Sequence, residues 1–134
     1  MHDTMQGIAK TKGQIEDRIA KQVTKYYVNS FGVGPKETRV YIVQDMIIIR
    51  LQGKLFPIET KLLENEKGVS LVKDIRKIVH EMTIKNLSDI IHESTQHTVI
   101  SSHSDISTKT GEIVQIYIID SNLEDEVAKT KNGG

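Results

Sequence analysis

Apolar residues near the start of the chain recur at steps of three, four and seven: Ile8, Ile15, Ile19, Val23, Tyr26 and Tyr27. That stripe predicts an amphipathic helix, with Lys10, Lys12, Asp17, Arg18, Lys21 and Lys25 on its other faces. Asp17 and Lys21 form a favourable i,i+4 pair. Gly32-Val33-Gly34-Pro35 ends the helix, because glycine accepts a left-handed cap and proline cannot continue the ladder. The period then changes. Residues 38–43 and 46–51 are β-branched runs separated only by Gln44 and Asp45, which predicts a tight antiparallel hairpin. On its second strand Ile47, Ile49 and Leu51 share the face assigned to the core, and Ile48, Arg50 and Gln52 share the other.

Pro57 suits the first position of a short helix, with Ile58, Leu62 and Leu63 on its apolar side and Gly68 as its stop. A long amphipathic helix follows from about residue 70 to 92, lined by Leu71, Val72, Ile75, Val79, Met82, Leu87, Ile90 and Ile91. Unbroken, it would run about 35 Å, but the β-branched and cap-forming residues of 83–88 predict a kink. Residues 98–103 and 112–119 form a second hairpin across the polar loop 104–111. The predicted order is α-β-β-α-α-β-β with no repeated α/β crossover. It gives an α+β two-layer sandwich: a four-stranded, mainly antiparallel sheet from two β-hairpins, with helices on one face. A single domain is expected over residues 7–121, and 122–134, almost all polar, as a mobile tail.

Composition narrows the function. A chain of 134 residues is long enough to bury one core without staples. Cysteine is absent, which excludes disulfides, thiolate zinc sites and cysteine nucleophiles. Lys+Arg and Asp+Glu are 18 each, and this zero net charge argues against a nucleic-acid partner. The longest apolar run, Met46-Ile47-Ile48-Ile49, falls far short of the ~20 residues of a membrane span. The opening Met1-His2-Asp3-Thr4 has no signal pattern, so a cytoplasmic location is expected.

The five histidines, His2, His80, His92, His97 and His103, make no metal-ligand spacing. His97 and His103 are six apart on a predicted strand, about 20 Å along one face. The loop at Gly32 runs from helix to strand, the reverse of a phosphate cradle. Ser101, His103, Asp105 and Ser107 are neighbours in one hairpin, which does not give triad geometry. No catalytic residue, metal or cofactor is therefore predicted. Arg39, Arg50 and Arg76 stand among apolar neighbours, with Asp45 and Asp105 in the turns and strands around them. An arginine in such a place pairs with a carboxylate for register or solubility, or it contacts an anion or a partner. These five are the candidate contact residues.

Larger blocks carry a resemblance. They are Gly32-Val33-Gly34-Pro35, Thr38-Arg39-Val40-Tyr41-Ile42, Asp45-Met46-Ile47-Ile48-Ile49-Arg50-Leu51, Gly53, Leu55 and Pro57-Ile58-Glu59. Leu71-Val72-Lys73-Asp74-Ile75-Arg76, Ser104-Asp105-Ile106-Ser107 and Thr110-Gly111 continue them. Together, over about residues 8–120, they resemble the MpsC family, named after a component of a bacterial sodium-translocating, membrane-potential-generating system. Where that family commonly has a paired acidic turn and a hydroxyl residue before the proline, this chain has Gln44-Asp45 and Phe56. The first departure questions any role needing two carboxylates, and the second removes a helix cap. The resemblance implies a link to ion transport or inorganic-carbon supply, and carries no catalytic set. A chain without a span would serve there as a non-enzymatic accessory or regulatory protein contacting a membrane-associated complex. The alternative is a small-ligand (anion) binding or stress-linked regulatory module.

A homodimer is also expected. Ile48 lies on the second face of its strand, and the last strand carries Ile113, Tyr117 and Ile119 opposite Val114, Ile116 and Ile118. One layer of helices covers only one side of such a sheet. In the competing account the N-terminal helix crosses over and completes a monomer. Tyr117 separates the two: it is an interface residue if its face is left over, and a core residue if helices cover it.

Overall fold

The structure, a computed structural model, describes residues 11–53 and 55–133. Ile8 and the expected domain start at residue 7 lie outside the described residues. Helix α1 spans Lys12–Phe31. Its first turn is closed by a capping box: the Thr11 hydroxyl accepts from the Gln14 N–H (3.2 Å), and the Gln14 side chain accepts from the Thr11 N–H (2.9 Å). Gly32, at φ +80°, ends it with its N–H on the Val28 carbonyl, 3.0 Å away. Asp17 and Lys21 meet at 2.9 Å on the exposed side.

Strands β1 (Glu37–Val43) and β2 (Met46–Gln52) form the first hairpin, and β3 (Val99–Ile106) and β4 (Ile113–Ile119) the second. Gln44 takes φ +57° to make the two-residue turn. The sheet order is β1-β2-β4-β3, with every neighbour antiparallel, so β2 and β4 join the hairpins along a central seam. Between the hairpins come α2 (Pro57–Leu62) and α3 (Glu66–Thr95). The architecture is α+β, in the order read from the sequence. Helix α1 packs on β1, α3 packs on β3, and the two helices pack on each other. The core between them and the sheet is aliphatic: Ile15, Ile19 and Val23 from α1, Val40 and Ile42 from β1, Ile47, Ile49 and Leu51 from β2, Leu87 and Ile91 from α3. Each such side chain contributes about 1.5–3 kcal/mol on burial.

Five expectations are corrected. The long helix is unbroken over 30 residues, about 45 Å. Thr83 is buried and bonds back to the His80 carbonyl (2.8 Å), so its side chain is accommodated without a kink. Gly68 is not a stop. Asn65 caps α3 on the Gly68 N–H (2.8 Å), and a Cβ at Gly68 would sit 1.6 Å from the Leu62 carbonyl oxygen, so glycine is required by a close backbone approach. Ile58 is 71% exposed, and the inward residue of α2 is Glu59. Tyr117 is fully buried in the same cluster as α1 and α3, so it is a core residue, and α1 does not cross to the other face.

The fifth correction concerns the C-terminal residues. The expected tail forms a helix, α4 (Leu123–Gly133). Leu123 is 4% exposed and belongs to the core, with Val127 packed against it. Glu124 accepts from the Gln44 N–H (3.0 Å) and from the Lys12 ammonium (2.8 Å), tying α4 to the first hairpin turn and to α1. The His97 ring nitrogens lie 3.1 Å from Asp120 and 2.8 Å from Glu126, on the other side of the helix. Two apolar residues four apart, helped by these polar ties, suffice to seat the segment.

Candidate functional site

The helices bury one face of the sheet and leave the other without a covering layer among the described residues. Strand alternation and register decide what that open face carries. One row across the four strands is Val43, Met46, Ile118 and Ser101. The next is Tyr41, Ile48, Ile116 and His103, and the third is Arg39, Arg50, Val114 and Asp105. The first two rows are thus apolar except for Ser101 and His103 on β3, and the third is charged. Tyr41 and Val43 are exposed, and the β2 and β4 residues shield one another to intermediate exposure.

Three of the five candidate residues, Arg39, Arg50 and Asp105, therefore share one row, although they come from three strands. Arg39 and Arg50 stand directly opposite each other. Like charges in that position repel. Glu37 offsets Arg39 (2.6 Å) and Glu112 offsets Arg50 (2.7 Å). These carboxylates, with the Tyr41 hydroxyl, hold both guanidinium groups firmly protonated. Asp105 is exposed, and its side chain accepts from the Ile106 N–H (2.8 Å). Asp45 lies in the turn at the far, apolar end of the face, where its carbonyl accepts from the Ile119 N–H (2.9 Å). Arg76 is elsewhere. It faces inward from α3 and donates two hydrogen bonds to Glu59 of α2 (2.8 and 2.6 Å). Burial works against ionising Glu59, yet the Arg76 guanidinium and the Phe56 N–H hold its carboxyl below the usual range. Each of the three arginines thus has a carboxylate partner.

Two further features had only a faint signal in the sequence. The apolar arc of α3 is wider than its core face. Val72, Leu87 and Ile91 are buried, whereas Leu71, Ile75, Ile78 and Met82 form a ribbon on the outer side, 44–70% exposed. Their spacing of four, three and four places them in line, with Lys67, Asp74, Glu81 and Lys85 along one edge. The second feature is a cleft of about 480 Å³ between α3 and β3, lined in part by Lys73, Lys77, His80, His103 and Gln115. At its floor the Gln115 amide donates to His80 Nδ1 (3.1 Å) and accepts from the Tyr117 hydroxyl (3.2 Å). Burial pushes the His80 imidazolium toward the neutral form, against the nearby Glu81, and raises the Tyr27 and Tyr117 phenols. The network consists of satisfied polar groups inside a core, each with a partner. Among the described residues no three metal-ligating side chains converge, and no helix is long and apolar enough to cross a membrane.

No solved structure matches the chain. It is 35% identical over 120 residues to the uncharacterized protein YbcI of Bacillus subtilis (strain 168), covering 90% of this chain and 97% of that one. The family described as "Na+-translocating membrane potential-generating system (MpsC)" matches residues 11–121. The chain belongs to the MpsC family.

Proposed function

We propose that this chain is a non-enzymatic, cytoplasmic accessory or regulatory protein of a bacterial ion-translocating, membrane-potential-generating system, and that it acts by protein contact. The link to that system comes from the family description. The observation that carries the mode of action is the outer ribbon of α3. Four large aliphatic side chains in line on the solvent side of the longest helix supply the anchors of a helix-to-helix contact. The chain's own second copy belongs to the same reading, as the occupant of the open sheet face.

The test places a photo-activatable residue at Ile78, or at the distant Lys21, in cells that contain the membrane system. An adduct with a subunit of that system from position 78 alone, lost on Ile75→Asp, supports the reading. Equal labelling from both positions overturns it. So does unchanged sodium transport when a folded Ile78→Asp/Met82→Asp protein replaces the natural one. A second reading, a small-anion module, would use Lys73 and Lys77 of the cleft, whose lining also carries the carboxylates Asp74, Glu81 and Asp105. Titration with inorganic phosphate, followed by amide NMR shifts, should then perturb the residues around His80; no shift at millimolar phosphate sinks that reading.

A further inference from the structure

We infer that the open sheet face docks on the same face of a second copy, about a two-fold axis parallel to the strands and lying between β2 and β4. This rests on the reading of that face as self-associating, and adds its geometry and its recognition pairs. A two-fold axis along the strands places β1 over the partner's β3 and β2 over the partner's β4, at unchanged height along the strand. The sheet order and register then fix every facing pair. Arg39 meets the partner's Asp105, and Asp105 meets the partner's Arg39. In the apolar rows Ile48 meets the partner's Ile116, and Met46 meets the partner's Ile118. Tyr41 lies over the partner's His103. Sheets packed in this aligned way sit about 10 Å apart with their inner side chains interdigitated.

Charge decides between this axis and its rival. A two-fold axis across the strands would lay Arg39 and Arg50 over the apolar end of the partner, where guanidinium groups lose water and gain no carboxylate. Along the strands, Arg39 meets the partner's Asp105, while Arg50 faces the partner's Val114 and keeps Glu112 of its own chain as its carboxylate. The partner's Asp105 also relieves the Arg39–Arg50 juxtaposition, which Glu37 and Glu112 offset only from the flank. Four strands at about 4.8 Å and seven residues at about 3.3 Å give a footprint on the order of 400 Å² in projection. A footprint of that size belongs to small, reversible interfaces, so a weak dimer is expected, with its affinity set by the anchor contacts rather than by the area.

The experiment is sedimentation equilibrium of the full chain from about 1 to 300 µM, a span that brackets micromolar dissociation. Ile116→Lys should weaken association at least about tenfold, and Arg39→Asp and Asp105→Arg about fivefold each. The Arg39→Asp/Asp105→Arg double variant should return to within about twofold of the natural chain, because the swapped charges again face each other. Thermal melts check that each variant folds, and Ile48→Lys stands in for Ile116→Lys if the latter does not. The chain has no cysteine, so mixing an Arg39→Cys chain with an Asp105→Cys chain should give a crosslink between the two kinds with a bis-maleimide that spans the ~10 Å between facing sheets, and little within either kind. A monomer at every concentration overturns the self-association reading as well as the geometry. A dimer that ignores the face variants, but is broken by Ile78→Asp, overturns the geometry alone and moves the interface to the α3 ribbon.

Discussion

Removing the charge of Glu59 isolates what holds α2 to α3. The helix is only six residues long, and its one buried side chain is Glu59. That carboxylate takes two charge-assisted hydrogen bonds from Arg76 and one from the Phe56 N–H (2.9 Å), and the side chains of the ion pair are only 11% and 19% exposed. A hydrogen bond to a charged group contributes about 1.5–3 kcal/mol. Glu59→Gln keeps the shape and one acceptor, and loses one such bond and the countercharge. Arg76 recovers part of this by reaching water at the cleft, so a loss of about 2 kcal/mol is expected. Glu59→Ala also frees the Phe56 N–H and should cost about 3 kcal/mol. Arg76→Ala should cost a similar amount, and the double alanine variant less than the sum by about 1–2 kcal/mol. Urea unfolding followed by far-ultraviolet circular dichroism reads all four. The pH dependence has a definite sign. The folded carboxyl lies below its unfolded value, so the stabilisation is complete above the usual carboxylate range and fades as pH falls through the folded value. The reasoning fails if Glu59→Gln costs under about 0.5 kcal/mol, or if the single alanine losses simply add.

Three other outcomes are expected. Leu123→Ala should cost about 2 kcal/mol in urea unfolding, because a side chain 4% exposed leaves a cavity at the core edge; an unchanged midpoint would mean that α4 contributes nothing to stability. Ile49→Asp should unfold the domain, since Ile49 is fully buried, while Gln52→Asp should shift stability by less than about 0.5 kcal/mol; equal thermal melts would contradict the strand register. His80 is held neutral by burial, its folded value lying below its unfolded one, so its share of stability is complete above pH ~6.5 and declines as pH falls below that. His80→Gln should flatten this part of the pH–stability curve, and an unaltered slope would remove His80 from the account.

The regular parts of the fold were legible because their periods were clean. Ile47, Ile49 and Leu51 alternate with Ile48, Arg50 and Gln52, and the structure buries the first set and leaves the second half-exposed. Ile15, Ile19 and Val23 step at four and are all buried. Helix α3 was harder, since apolar residues occupy two arcs of it. Period alone cannot say that Val72 faces inward and Leu71 outward, because tertiary neighbours decide. Gly68 read as a stop when considered locally, whereas its requirement comes from the Leu62 carbonyl. Leu123 and Val127 were lost in a polar segment because their anchors, Gln44, His97 and Lys12, are remote in sequence. The two-residue turn by itself places Arg39 opposite Arg50. Only the arrival of Asp105 in their row depends on the order β1-β2-β4-β3.

The same strand order imposes a timetable on folding. Each hairpin closes locally, across two residues in one case and six in the other, and such hairpins form in about 1–10 µs. The β2–β4 seam joins residues about 60 to 70 positions apart in sequence, and that closure must be completed before its contacts return any free energy. Helix α3 lies inside the loop being closed, so its formation shortens the distance the two hairpins must search. Zipping of the seam is therefore the expected rate-limiting step, with both hairpins and α3 expected in the transition state. Conservative truncations at Ile49 or Ile118 should slow refolding, whereas Leu123→Ala should chiefly speed unfolding. Stopped-flow refolding that is indifferent to the seam variants would contradict this order of events.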